Sequence, residues 1–332
     1  MKNAKYVLFV LAAVILITGI IKRPHTATMP DLEGLNGTRG AIVHIKPGTQ
    51  PNIRSIEDDS CGQLYEVGSL SKAMTGLVLA DAIDKGELSL DTPLPSRPEI
   101  TVKDLVTHTS GLPRLSNKPT AIFSSLINAT LGRNPYAFDE GSLSHHINEA
   151  TLGDRTYEYS NLGAAATYEL FPKYLGGDYA TVMKKRLFEP LGMNNTEVQT
   201  ADSKVCTGQN EAGVSQQRWT MTEYAPAGGI VSTPQDLALL AQALATNSAP
   251  GQSALEPLTK RSENSSAGVF WVIDSPTDTN PNTPPITWHN GATGGYGSFL
   301  GLNPDTGEAV VVVSNTPGNQ TAIGKKLLGK EA

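Results

Sequence analysis

The sequence predicts an α+β protein: an antiparallel β-sheet flanked by helices, with an all-helical segment inserted between its strands. Three observations carry that expectation. A nearly all-apolar helix comes early, over Ser69–Lys85. Four short apolar runs of strand length cluster after residue 267. The stretch between reads mostly as short helices and loops.

The chain has 332 residues, 39% hydrophobic and 17% charged, an ordinary globular balance. In chain order, Lys2 and Lys5 precede a 16-residue apolar run, Tyr6–Ile21, diluted only by Thr18 and Gly19. This is the layout of an export signal. Residues 1–27 are therefore expected to be a signal anchor or signal peptide, tying the chain to the membrane and placing the body outside the cytoplasm. The run lacks a clear small-x-small cleavage site, since His25 stands at the −3 position to Ala27. Residues 28–40 read as a linker and 41–330 as one domain, with a sheet subdomain at about 41–90 and 267–330 and a helical subdomain at about 91–266.

Ala41–Ile45 reads as a first strand stopped by Pro47-Gly48, and Gln63–Val67 as a second leading into a helix. Over Ser69–Lys85 the apolar residues lie all round the helix, so it should be central and buried, with Gly86 as its stop. Pro93, Pro95 and Pro98 break the chain. Helices are expected near 101–107, 162–171, 178–188 and 234–246. Strands are expected at Val269–Ile273, Ile286–His289, Phe299–Leu302 and Ala309–Val313, and a closing helix at Ile323–Leu328. Asn303-Pro304-Asp305-Thr306-Gly307 should turn the last two strands into a hairpin.

Charge excludes one class of partner. The net charge is −6, and residues 1–27 hold four basic residues and no acid. Without them the body has 22 basic against 32 acidic residues, a net −10. Such a surface repels phosphate backbones, so no nucleic-acid binding is expected. Cys61 and Cys206 could pair in an exported protein or remain separate thiols. His145, His146 and Glu149 lack metal-site spacing, because adjacent histidines point about 100° apart on a helix. The four glycines of Gly291–Gly297 open no helix, so a phosphate cradle is not expected. No metal and no organic cofactor is expected.

The chemistry concentrates in three short motifs. Ser69 and Lys72 are three apart at the start of the buried helix, so they share a face. A serine hydroxyl needs a base, and a desolvated lysine can serve as one. The same spacing also fits a capping serine with a lysine reaching to solvent. Tyr159-Ser160-Asn161 precedes a helical pattern, and His289-Asn290-Gly291 ends a strand before Ala292.

Together Ser69-x-x-Lys72, Tyr159-x-Asn161 and His289-x-Gly291 resemble the three motifs of the serine β-lactamase and penicillin-binding-protein superfamily. The phrases Leu105–Pro113, Pro190–Met193 and Ala227–Thr233 resemble its class C-like branch, and the likeness covers about residues 40–325. The resemblance implies a β-lactamase/transpeptidase-like fold with Ser69 as acylated nucleophile and Lys72 and Tyr159 sharing the acid and base work. It implies that Asn161 bonds the substrate, that the Ser69 and Ala292 amides form an oxyanion hole, and that His289 and Gly291 line the substrate subsite. His108 belongs to a phrase used structurally.

His289 departs from the lysine usual at its position. With an ordinary value of about 6.5 it would be mostly neutral at pH 7 and charged at lower pH. Relatives with this departure include esterases and D-amino-acid peptidases. The expected activity is thus hydrolysis of a small ester, amide or short D-amino-acid-containing peptide. The alternatives are a class C-like β-lactamase and a penicillin-binding sensor that acylates without turnover.

Overall fold

The computed structural model describes residues 32, 34–56, 64–116, 119–276 and 283–329. The export segment 1–27, part of the linker and Cys61 lie outside the described residues. Cys206 is disulfide-bonded. Among the described residues no helix is long and apolar enough to cross a membrane.

The first strands are β1 (Gly40–Ile45), β2 (Asn52–Ile56) and β3 (Tyr65–Glu66). Helices α1 (Leu70–Asp84), α2 (Val102–Val106), α3 (Pro119–Thr130), α4 (Ser142–Glu149), α5 (Asn161–Ala166), α6 (Leu170–Tyr174) and α7 (Tyr179–Met183) follow. Then come β4 (Glu197–Val198), α8 (Ala225–Gly228), β5 (Ile230–Ser232) and α9 (Pro234–Ala245). The chain closes with β6 (Thr259–Ser262), β7 (Ser265–Ala267), β8 (Val272–Asp274), β9 (Ile286–Ala292), β10 (Gly297–Asn303), β11 (Glu308–Ser314) and α10 (Gln320–Leu327).

Eight strands form one antiparallel sheet in the order β2-β1-β11-β10-β9-β8-β7-β6, so the first hairpin docks on the last strand. A second sheet has the order β3-β5-β4. The expected hairpin forms, with Leu300 opposite Val311 and Asn303 opposite Glu308. Period-two alternation divides the main sheet between two cores. Val43, Val311 and Val313 face the larger core with α1, while Ile42, Val310 and Val312 face a smaller one with Phe299 and Leu328. Burial on both faces explains why Val310–Val313 is continuously apolar.

α1 is the central helix, with every residue from Leu70 to Ala82 buried. It runs so close to the chain before β8 that a Cβ on Gly76 would lie 2.1 Å from the Val269 carbonyl oxygen. That approach shortens the strand read over Val269–Ile273. Phe270 takes a left-handed φ of 64° and its N–H bonds the Val106 carbonyl at 2.9 Å, so the strand begins only at Val272. Three strands had no apolar signature. β2, β6 and β7 lie toward the two edges of the sheet and read Asn-Ile-Arg-Ser-Ile, Thr-Lys-Arg-Ser and Ser-Ser-Ala.

Candidate active site

A cleft of about 720 Å³ opens where the N-terminus of α1 meets β9, α3, the start of α5 and the end of α8. Ser69 stands just before α1, in helical geometry, and its hydroxyl makes no capping bond. Instead Ser69 Oγ lies 3.1 Å from Lys72 Nζ and accepts from the Tyr159 hydroxyl at 2.7 Å. Lys72 does not reach solvent; it is fully buried. Its Nζ also donates to Asn161 Oδ1 at 2.8 Å and to the Ala227 carbonyl at 2.6 Å. Burial, and then the charge of Arg114, hold the Lys72 amine well below the ordinary lysine value.

These contacts determine how the amine is used once it is neutral. A neutral amine has two N–H groups and one lone pair. Two of its three neighbours, Asn161 Oδ1 and the Ala227 carbonyl, can only accept. They take both N–H groups and leave the lone pair for the Ser69 hydroxyl. Burial pushes the Tyr159 phenol above its usual range, so it stays protonated at neutral pH and donates.

Ser160 holds Tyr159 and Asn161 in place. It caps α5 by accepting from Gly163 N–H at 2.7 Å and donates to the Pro113 carbonyl at 2.7 Å. His108, at a left-handed φ of 58°, accepts from Ser160 N–H at 3.3 Å and lies 4.7 Å from the Tyr159 ring. It buttresses the tyrosine from behind.

Two glycines bring β9 against the start of α1. A Cβ on Gly291 would sit 2.0 Å from the Val67 carbonyl oxygen and 2.8 Å from Ser69 N. Gly68 has a left-handed φ of 52°, and a Cβ there would meet Ala292 N at 2.7 Å. Their bare backbones let the Ser69 and Ala292 peptides approach at the cleft.

His289 lies elsewhere. Its ring is 4% exposed and lines a smaller cavity beside His108, Tyr157 and Arg261, with its Nδ1 2.6 Å from the Asn290 carbonyl oxygen. Burial, and then the charge of Lys72, push it to about 3. The ordinary titration near 6.5 expected from sequence does not apply, because burial desolvates the imidazolium.

Other groups at the cleft carried no motif. The Tyr136 hydroxyl accepts from Asn161 Nδ2 at 2.7 Å, and burial pushes its phenol up to about 12. The Arg114 guanidinium lies 5.3 Å from the Tyr159 ring centroid. Among the described residues that line the cleft, Arg114 alone carries a charge. It directly follows the Leu105–Pro113 phrase, which was the available signal. Glu66 is buried and accepts from Trp219 N–H at 2.7 Å, tying down one wall. His145 and His146 diverge as their spacing implies. The first meets Glu149 at 3.0 Å and the second bonds the Tyr224 hydroxyl at 2.7 Å. Among the described residues no group of three or more His, Cys, Asp or Glu is placed to hold a metal ion.

Known proteins resemble the chain in sequence and in fold. The chain is 26% identical over 297 residues to a beta-lactamase of Escherichia coli, covering 76% of this chain and 75% of that protein. It is 24% identical over 322 residues to the Escherichia coli D-alanyl-D-alanine-carboxypeptidase/endopeptidase AmpH, covering 85% and 81%. A solved class C beta-lactamase superposes with a TM-score of 0.74 at 19% identity, covering 90% of this chain and 93% of that one, which shows a shared fold. The beta-lactamase family profile matches residues 59–332, and the chain therefore belongs to the beta-lactamase family.

Proposed function

We propose that this serine hydrolase forms its acyl-enzyme on Ser69 and cleaves small esters, amides or short D-amino-acid-containing peptides. The observation that carries the reading is the set of contacts around Lys72, which leaves a neutral amine lone pair for the Ser69 hydroxyl. In the first step Lys72 takes the Ser69 proton as Oγ bonds the substrate carbonyl carbon. The Ser69 and Ala292 amides stabilise the oxyanion, helped by the positive end of α1. As the carbonyl–leaving-group bond breaks, Tyr159 protonates the leaving group and is reprotonated from Lys72. Water then attacks the ester on Ser69 and gives its proton to the same pair; the Oγ–carbonyl bond breaks, the acid leaves, and the pair returns the proton to Ser69 Oγ. Asn161 orients Lys72 and, with Gly291 and Ala292, lines the substrate side of the cleft, while His289 lies behind it in the smaller cavity. The chain's own residues suffice for this chemistry, and the cleft lies between a sheet subdomain (about 41–90 and 267–330) and a helical one (about 91–266).

A β-lactamase reading draws support from the Escherichia coli relative. The neutral His289 weighs against it, since the strand position that holds a lysine in β-lactamases carries no charge here. The export-signal layout of residues 1–27 supports a body outside the cytoplasm, held at or released from the membrane.

A panel of p-nitrophenyl esters, D-amino-acid amides and nitrocefin separates the readings. The expected result is turnover of esters or D-amides faster than nitrocefin, lost in Ser69→Ala. Fastest turnover of nitrocefin would establish the β-lactamase reading. One equivalent of product without further turnover would establish a sensor.

A further inference from the structure

Helix α3 bounds the cleft with an unusual composition. From Pro119 through Gly132 the chain carries no charged residue. Ile122, Ser125, Leu126 and Ala129 line the cleft at spacings i, i+3, i+4 and i+7, one continuous stripe of the helix. The adjoining stripe, Phe123 and Ile127, faces outward, and Leu131 continues it past the helix end. Phe123 is 65% exposed, Leu126 63%, Leu131 59% and Ile122 47%. Scattered exposed leucines need no explanation, but five large apolar side chains within ten residues form a patch. This patch is continuous with the wall of a cleft that also holds Ser69 and is further lined by Leu115, Pro135 and Met221. An apolar surface that shares the cleft with the nucleophile and runs out over a helix crest suits an unbranched hydrocarbon group more than a peptide, whose amides would find few partners along α3.

We propose that the substrate of Ser69 is an ester or amide with an extended apolar acyl chain, and that α3 is its chain-binding wall. The inference rests on the acyl-enzyme reading and specifies its acyl group. Ile122 and Leu126 contact the carbons nearest the carbonyl, and Phe123 takes those farther out. A fully buried methylene contributes about fourfold in binding, and one left partly in water about twofold.

The test uses the full chain and p-nitrophenyl esters of two, four, six and eight carbons, each below its micelle-forming concentration. In the wild type kcat/KM is expected to rise roughly twofold per methylene, at least tenfold from the two- to the eight-carbon ester. In Ile122→Gln/Leu126→Gln the eight- to two-carbon ratio should fall at least fivefold. Taking a ratio cancels any loss of folded enzyme, and glutamine is a good helix former at exposed positions. A flat chain-length series in the wild type, or an unchanged ratio in the double variant, overturns the proposal. Flat but Ser69-dependent hydrolysis would leave the acyl-enzyme reading standing and make the patch a contact for another surface. No hydrolysis of any ester, with no labelling of Ser69 by a fluorophosphonate, would instead overturn the underlying reading and this proposal with it.

Discussion

Helices α1 and α3 border the same cleft and are built in opposite ways. α1 is mostly apolar and buried from Leu70 to Ala82, and it carries its one basic residue, Lys72, into the core, where three fixed oxygens surround the amine. α3 is nearly as apolar but leaves its large side chains in water. On α1 the apolar surroundings act on the chemistry, because desolvation keeps Lys72 neutral enough to accept a proton. On α3 the apolar surface has no core to join, so its use lies in what enters the cleft. A hydrophobic count does not separate the two helices; their burial does.

The largest expected effect comes from removing the basic residue of α1. Lys72→Met keeps the length of the side chain and loses the lone pair. Acylation should slow by about 10²–10⁴, the usual contribution of a general base, while thermal stability holds or rises because a buried amine becomes a thioether. Stopped-flow acylation and thermal melts read both. An active Lys72→Met enzyme would break the contrast between the helices.

A middle effect is expected from Asn161→Ala. It removes one of the two carbonyl acceptors that orient the amine and leaves the Tyr136 hydroxyl without its donor. The rate of acylation of p-nitrophenyl acetate should drop by roughly 10–100-fold, the cost of one misdirected or unmet buried hydrogen bond. A rise in KM alone, with kcat unchanged, would mean that Asn161 serves the substrate and not the base.

Smaller effects sharpen the electrostatics. Arg114 disfavours the protonated form of Lys72. Arg114→Gln therefore raises the Lys72 value, and the acid limb of the kcat/KM profile moves to higher pH. A shift to lower pH would contradict that assignment. The smallest expected effect is none. With His289 pushed to about 3, it stays neutral between pH 8 and 6, so affinity for carboxylate-bearing substrates should not track a group near 6.5 over that range. A rise in affinity at pH 6 would mean that the imidazole is solvated and faces the substrate.

The sequence made the reacting cluster legible because its constraints are local. Ser69 and Lys72 share a helix turn, and Tyr159 and Asn161 flank one capping serine, so short spacings carry geometry. The sheet was legible where β1, β9, β10 and β11 are buried and apolar. β2, β6 and β7 were not, since polar strands at and beside the edges lack that contrast. The state of His289 depends on burial against Lys72 and Arg261, residues far away in sequence. Tyr136 and Arg114 reach the site through tertiary packing, with no motif of their own. The face that α3 turns to the cleft is likewise set by its neighbours, and its periodicity alone would have suited a core helix.

The central claim is that Ser69 alone is acylated, and covalent mapping tests it most directly. The full chain is reacted with a fluorophosphonate, its intact mass measured, and the adduct located by peptide sequencing. Because the Ser69 hydroxyl caps nothing, Ser69→Ala should fold normally and serves as the control. One adduct per chain is expected, on Ser69, absent from the folded Ser69→Ala variant. An adduct on any other serine, or labelling that persists in Ser69→Ala, would contradict it.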